Sequence, residues 1–296
     1  MSSNLDARFA RLATLVGGVG AVNELFVVEE CDALAEAGHA EAMLLAANVA
    51  ALGYGREQNF AIASAWLKRA AAAGSTTAQA QLDLVGDQYA DWLAPRATRS
   101  VVAQPRIGMS DGFLDAATCA WLIERARPLQ NAALIYDPLT AKPKQDDARS
   151  NSVGAFSLLE LDLPTILVRE RIANTIGVPS AHFERTSVFR YQTGQTFEPH
   201  FDFLQPSPQT NNELNQSGQR HLTFLVYLND AFDAGETHFL RLEKKLRGGV
   251  GDALYFYNVD ETGTPDYRTE HEGVAPTRGE KWLLSQFIRE KPQPQG

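Results

Sequence analysis

At 296 residues the chain has room for two domains of ordinary size. A formal net charge of −9 argues against general affinity for nucleic acid or anionic membrane, and no apolar run approaches the roughly 20 residues that a membrane span needs. The opening Met-Ser-Ser-Asn-Leu-Asp-Ala-Arg lacks the charged-then-apolar order of a secretory signal, so a cytoplasmic location is expected, with Cys31 and Cys119 as two free buried thiols.

Residues 1–94 read as helices only. Apolar positions recur at helical spacing over 5–16, 22–37, 40–52, 61–73 and 78–93, with alanine very frequent. Gly17-Gly18-Val19-Gly20 has helical patterning on both sides and no strand before it, so it reads as a turn rather than a dinucleotide loop. Ala37-Gly38-His39-Ala40-Glu41-Ala42 reappears 36 residues later as Ala73-Gly74-Ser75-Thr76-Thr77-Ala78, a period that marks a helix–turn–helix repeat. With Gly53-Tyr54-Gly55, Asn59, Ala61, Ala65-Trp66-Leu67 and Ala70-Ala71, the region resembles a Sel1-like repeat, a relative of the tetratricopeptide repeat. That resemblance implies either a protein partner on the helical face or a structural cap.

Residues 95–105, bounded by Pro95 and Pro105, read as a linker. Beyond them a helix is expected over 113–127, capped by Asp115 and stopped by Pro128, and a second over 164–176, closed by Gly177. Short alternating runs follow at 186–191, 197–203, 221–228, 236–240, 253–257, 267–274 and 282–288, punctuated by Gly, Pro, Asn and Asp. Helices first and strands later make the chain α+β, with a sandwich or barrel in the second part. Two polar stretches, 137–152 and 205–219, read as lids. The basic cluster Lys244, Lys245 and Arg247 reads as a solvated turn before a strand.

Within 197–203, His200 and Asp202 project to the same face of an expected strand, with Phe201 on the other as a wall. One imidazole and one carboxylate supply two ligands for a divalent metal; a third must come from elsewhere. His39, His182, His221 and His238 read as ordinary surface or core histidines, His39 as an exposed one. His271 is the best third ligand, because Lys281 follows it on the next expected strand. Two histidines and one carboxylate on one face leave open positions for a cosubstrate and O2, as in non-haem Fe(II) oxygenases. Lys281 lies in an otherwise apolar strand, where a buried ammonium is costly unless paired. It is either an edge lysine at a strand start or a cation awaiting a ligand carboxylate. Tyr191 and Thr237 could add hydroxyls to that same carboxylate.

Several ordered segments carry a second resemblance. They are Phe189-Arg190-Tyr191-Gln192-Thr193-Gly194-Gln195, Pro199-His200-Phe201-Asp202, Arg220-His221-Leu222-Thr223 through Tyr227-Leu228-Asn229, and Gly235-Glu236-Thr237-His238-Phe239. Gly251-Asp252-Ala253-Leu254 through Asn258, His271-Glu272-Gly273 and Gly279-Glu280-Lys281-Trp282 complete them. Together, residues from about 106 to 291 resemble a prolyl 4-hydroxylase-type 2-oxoglutarate/Fe(II) dioxygenase, with 106–292 as the expected domain. The resemblance implies a double-stranded β-helix (jelly roll) with supporting helices, and Fe(II), 2-oxoglutarate, O2 and ascorbate as cofactors. It assigns His200, Asp202 and His271 to iron, and Lys281, helped by Tyr191 and Thr237, to the far carboxylate of 2-oxoglutarate. Peptide-substrate positions fall on Arg149, Glu184 and Arg220. Three departures stand out: Asn151 in Arg149-Ser150-Asn151-Ser152, Phe287 where the family has tryptophan, and Arg289 where it has a histidine near the substrate. The implied reaction oxidises an unactivated C–H bond of a prolyl peptide or protein. The alternatives are a hydroxylase of a free amino acid or another residue type, and a non-enzymatic scaffold or sensor.

Overall fold

The architecture is that of a computed structural model that describes residues 2–18, 22–86, 89–133, 135–136, 143–144, 149–208 and 210–293. Alanine-rich repeats lead into helices at Ser2–Gly17, Glu24–Glu36, Ala40–Leu52, Phe60–Ala72, Thr76–Val85 and Tyr89–Leu93. The last two replace a single expected helix, broken at Gly86, which has φ 67°. The repeated hexapeptides adopt one geometry. Gly38 and Gly74 take φ 93° and 96°, a left-handed turn that disfavours a Cβ. His39 Nδ1 then accepts from Ala42 N at 3.2 Å, and Ser75 Oγ accepts from Ala78 N at 3.2 Å. His39 is thus half-buried rather than exposed, stacked on Phe9 with ring centroids 4.6 Å apart. The expected turn at 17–20 lies partly outside the described residues.

Contacts divide the chain into two units: residues up to Pro95 with Phe156–Gly177, and Arg96–Ala155 with Val178–Gln293. Helix Leu163–Ile176 therefore belongs with the amino-terminal helices, although its sequence position suggested support for the strands. Its buried residues include Leu163, Ile166, Leu167, Val168 and Ile172, covering most of its circumference, so it needs helices around it rather than one sheet face. Polar bonds fix it there: Asn48 Nδ2 donates to Leu161 O at 2.6 Å, and Arg171 Nε donates to Trp92 O at 2.9 Å.

The second unit is built on two antiparallel sheets. The larger has the order Arg99–Val102, Ile107–Ser110, Ala253–Tyr257, Arg220–Tyr227, Lys281–Arg289, Ser187–Tyr191, Ser152–Ala155 and Asn131–Ala132. The smaller has Lys244–Leu246, Thr237–Phe239, His271–Gly273 and Phe197–His200. From Ser187 onward the chain crosses between the sheets after nearly every strand, which is the winding of a double-stranded β-helix. Phe189, Leu225, Tyr227, Phe239, Phe256 and Leu283 fill the space between them. Asp115 caps helix Ala116–Ala126 through Thr118 N at 2.7 Å, as its sequence indicates.

Three local expectations change. Strand Arg99–Val102 forms inside the expected linker, because Val101 and Val102 pack against the sheet core. Lys244–Leu246 is an edge strand rather than a turn, paired with Thr237–Phe239, while the Arg247 guanidinium covers the Phe232 ring at 4.2 Å. Polar stretch 205–219 contains helix Asn211–Ser217, and most of 137–152 lies outside the described residues.

Gly251 joins the first helix of this unit to its sheet: Leu114 N donates to its carbonyl at 3.0 Å, and its own N–H donates to Tyr227 O at 2.8 Å. It has φ +81°, and a Cβ there would sit 1.9 Å from Leu114 O. Gly251→Ala should therefore destabilise the fold by about 3 kcal/mol, read as a melting temperature lower by several degrees. An unchanged melting temperature would contradict this account of the junction.

Candidate metal and cosubstrate site

Strand Phe197–His200 ends at the first candidate ligand, one residue after Pro199, which has no N–H to give the ladder. Asp202 thus lies in a bend beyond the strand, not on it. The two side chains still converge, because Asp202 is drawn inward by Thr223, whose Oγ1 donates to Asp202 Oδ2 at 2.7 Å. Asn258 Nδ2 donates in turn to Thr223 Oγ1 at 3.0 Å, which commits the hydroxyl proton to the carboxylate. Phe201 turns away and stacks on Phe203 and the edge of Tyr267, at 4.7 and 5.3 Å. His271 enters from the neighbouring strand, where it pairs in register with His200.

The three side chains offer ligand atoms that all lie within 4.8 Å of one another. Asp202 Oδ1 is 3.5 Å from His200 Nε2, and Oδ2 is 3.7 Å from His271 Nε2. Backbone carbonyls select the tautomers. His200 Nδ1 faces Glu198 O at 2.7 Å and His271 Nδ1 faces Thr269 O at 3.0 Å; as donors there, both rings direct an Nε2 lone pair at the shared point. Aromatic packing holds the planes: Phe197 stacks on His200 at 3.6 Å, and Phe256 meets His271 edge-on at 4.8 Å. Burial, then the adjacent His200 ring, lowers His271 to about 4, so it is neutral at pH 7. Burial alone would raise the Asp202 carboxyl, but His271, His200 and Thr223 outweigh it and hold the group below the usual carboxylate range. Two imidazoles and one carboxylate are a donor set that fits ferrous iron.

The same residues line a cavity that also takes in Tyr191, Thr237 and Lys281. Lys281 is wholly buried, and its Nζ makes no hydrogen bond among the described residues. Burial lowers the amine to about 7. It lies 5.0 Å from the Tyr191 ring centroid, opposite Tyr191 in register. Gly273 makes room for that tyrosine, since a Cβ there would stand 3.1 Å from its hydroxyl. Thr237 Oγ1 meets the Tyr227 hydroxyl at 3.2 Å, and Tyr227 donates to Leu246 O at 3.0 Å. Thr237 is therefore the donor to Tyr227, and a carboxylate in the cavity would have to compete for its proton.

Arg149, Glu184 and Arg220 stand outside the cavity lining but border it. The Arg149 guanidinium covers Phe197 at 4.4 Å, and Arg220 covers Phe287 at 4.0 Å, both rings being part of the wall. Arg220 makes two bonds to Glu184, of 2.7 and 2.9 Å. Sequence reading gave no role to Thr223, Asn258, Tyr227 or Ser285, whose buried Oγ makes no hydrogen bond among the described residues. A polar side chain on the inward face of an apolar strand was the available signal for Thr223 and Ser285. The other histidines have ordinary partners: His182 Nδ1 meets Arg289 O at 3.1 Å, His238 Nδ1 meets Glu272 Oε1 at 2.8 Å, and His221 packs edge-on to Tyr257.

Residues 186–289 match the family model described as the 2OG-Fe(II) oxygenase superfamily. Prolyl 4-hydroxylase 1 of Arabidopsis thaliana is 32% identical over 201 residues, covering 63% of this chain and 70% of the relative. Probable prolyl 4-hydroxylase 3 of the same plant is 30% identical over 264 residues, covering 83% and 86%. Among solved structures, the viral collagen prolyl hydroxylase of Paramecium Bursaria Chlorella virus-1 in complex with 2OG is 25% identical, with a TM-score of 0.47, over 62% of this chain and 95% of that one.

The Thr223 bond to Asp202 can be tested by metal binding alone. Thr223→Val should weaken binding of Mn(II), an inert stand-in for iron, by about 10–100-fold, with Thr223→Ser close to the parent protein. Equal affinity in Thr223→Val, measured by calorimetry, would remove the threonine from the site.

Proposed function

The chain belongs to the prolyl 4-hydroxylase family of 2OG-Fe(II) oxygenases, and from that premise we propose that it hydroxylates proline in a peptide or protein. The observation that carries this reading is Lys281: a wholly buried amine with no hydrogen-bond partner among the described residues, on the same cavity as the His200, Asp202 and His271 cluster. A 2-oxo diacid answers both ends of that cavity, its keto acid near the cluster and its far carboxylate on Lys281.

In this reading His200, Asp202 and His271 would hold Fe(II). With 2-oxoglutarate and O2, the bound iron supplies the oxidising power: 2-oxoglutarate leaves as succinate and CO2, and one oxygen atom becomes the substrate hydroxyl. Thr223 and Asn258 orient Asp202. Lys281 and Tyr191 bind the far carboxylate, and Thr237 joins them by releasing Tyr227. Phe189, Phe197, Leu225, Leu283 and Phe287 exclude water around them. Arg149, Glu184 and Arg220 are the proposed peptide contacts. Ascorbate is the expected reductant.

The reading extends to residues 1–94 as a Sel1-like partner-binding region, 95–105 as a linker and 106–292 as the oxygenase domain, with helix Leu163–Ile176 lent to the helical unit. Its support is the identical geometry of the turns at Gly38 and Gly74. A cytoplasmic location is supported by Cys31 and Cys119, both buried and unpaired. No helix among the described residues is long and apolar enough to cross a membrane.

Purified protein with Fe(II) should convert 2-oxoglutarate to succinate, and His200→Ala should not. Prolyl peptides should gain the mass of one oxygen; a gain on free proline alone would shift the assignment to a free amino acid. Lys281→Ala should raise the KM for 2-oxoglutarate at least about 10-fold while metal stays bound. A pH test follows from the amine at about 7. Above that pH it is neutral, and pairing with a carboxylate recharges it. Binding of 2-oxoglutarate at pH 8.5 should therefore take up about one proton and weaken as pH rises. Calorimetry in buffers of different ionisation enthalpy reads this directly, and no uptake would exclude Lys281 as the partner.

A further inference from the structure

Strand Lys281–Arg289 is buried along nearly its whole length, and alternate residues Lys281, Leu283, Ser285 and Phe287 line the cavity. Arg289 follows Phe287 by two residues, just past a shift in pairing register between Ile288 and Arg289, and lies beyond the cavity lining. Its side chain is 1% exposed, and its Nε makes no hydrogen bond among the described residues. Nη1 reaches Glu184 Oε1 at 3.2 Å, but that oxygen already accepts from Arg220 Nε at 2.7 Å. Nη2 reaches Glu213 Oε1 at 3.1 Å. Glu213 is 47% exposed and rides on the seven-residue helix Asn211–Ser217. The buried Arg289 and the partly buried Arg220 thus share one carboxylate, and the second carboxylate is a solvent-exposed side chain on a short helix.

Resting on the prolyl hydroxylase reading, we propose that Arg289 is the receptor for a carboxylate on the substrate, and that Glu213 occupies it until substrate arrives. A carboxylate matches a guanidinium by two parallel bonds, and Nε with Nη2 is one such edge. Arg289 Nε on that edge makes no hydrogen bond among the described residues, and Glu213 holds only Nη2 with its carboxylate. An incoming carboxylate gains both donors, while Glu213 is released to water at small loss. The carboxylate can come from an acidic residue beside the target proline or from the end of a peptide chain.

The experiment uses fluorescein-labelled proline peptides and the full chain with Mn(II) and 2-oxoglutarate, read by anisotropy. One peptide is neutral and amidated, one carries an aspartate beside proline and is amidated, and one is neutral with a free terminal carboxylate. At least one carboxylate peptide should bind about ten-fold tighter than the neutral one, and the tighter of the two names the source. Arg289→Gln should bring that preference to within about two-fold. Glu213→Gln, at a half-exposed position, should widen it several-fold whether or not Arg289→Gln folds. Equal binding of all three peptides, no binding of any, or a preference that Glu213→Gln leaves unmoved would overturn the proposal. Mass gain with Fe(II) keeps the two readings apart. A carboxylate preference without oxygen on proline sinks only the prolyl assignment, whereas oxidation of neutral and acidic peptides alike sinks only the carboxylate receptor.

Discussion

His271 lies across one antiparallel rung from His200, and Phe239 lies across the next rung on its other side. Side chains in a strand alternate, so a slip of one residue would turn His271 to the far face and dismantle the cluster. The register is held by packing as well as by the ladder, since Phe239 and Phe256 both contact the His271 ring. Asp202 has no ladder to hold it and relies instead on Thr223 and Asn258, which reach it from the larger sheet. The centre therefore exists only where both sheets are in place, and the winding of the fold puts them there.

Strand Lys281–Arg289 gives the cavity its polarity. Its cavity-lining residues run from Lys281 through leucine and serine to phenylalanine, and the buried Arg289 guanidinium lies just beyond them. Burying either cation is unfavourable without an anion. Arg289 has protein carboxylates within reach, and Lys281 has no hydrogen-bond partner among the described residues. A ligand anion that pairs with Lys281 adds its binding free energy to the stability of the folded chain.

Much of this was legible in the residues. Helical periodicity and small turn residues marked the amino-terminal helices, and the recurring Ala-Gly turn marked their repetition. His200 and Asp202 were visible as two donors close in sequence, and Lys281 as a charge in an apolar run. The convergence of His200 and Asp202 does not come from strand alternation, because the strand stops at His200 and a hydrogen bond, not pleating, turns Asp202 inward. Helix Leu163–Ile176 was legible as a helix but its neighbours were not, since periodicity shows that a face is apolar and not what covers it. Thr223 and Asn258 escaped notice because their roles depend on strands that meet only in three dimensions.

Sulfur chemistry supplies a last consequence. Ferrous iron in the presence of O2 is a source of reactive oxygen, and thiolates are among its first casualties. Burial pushes both Cys31 and Cys119 up to about 12. At neutral pH roughly one thiol in 100,000 is then ionised. Peroxide-type oxidants, which attack the thiolate, would therefore find little to react with at either cysteine.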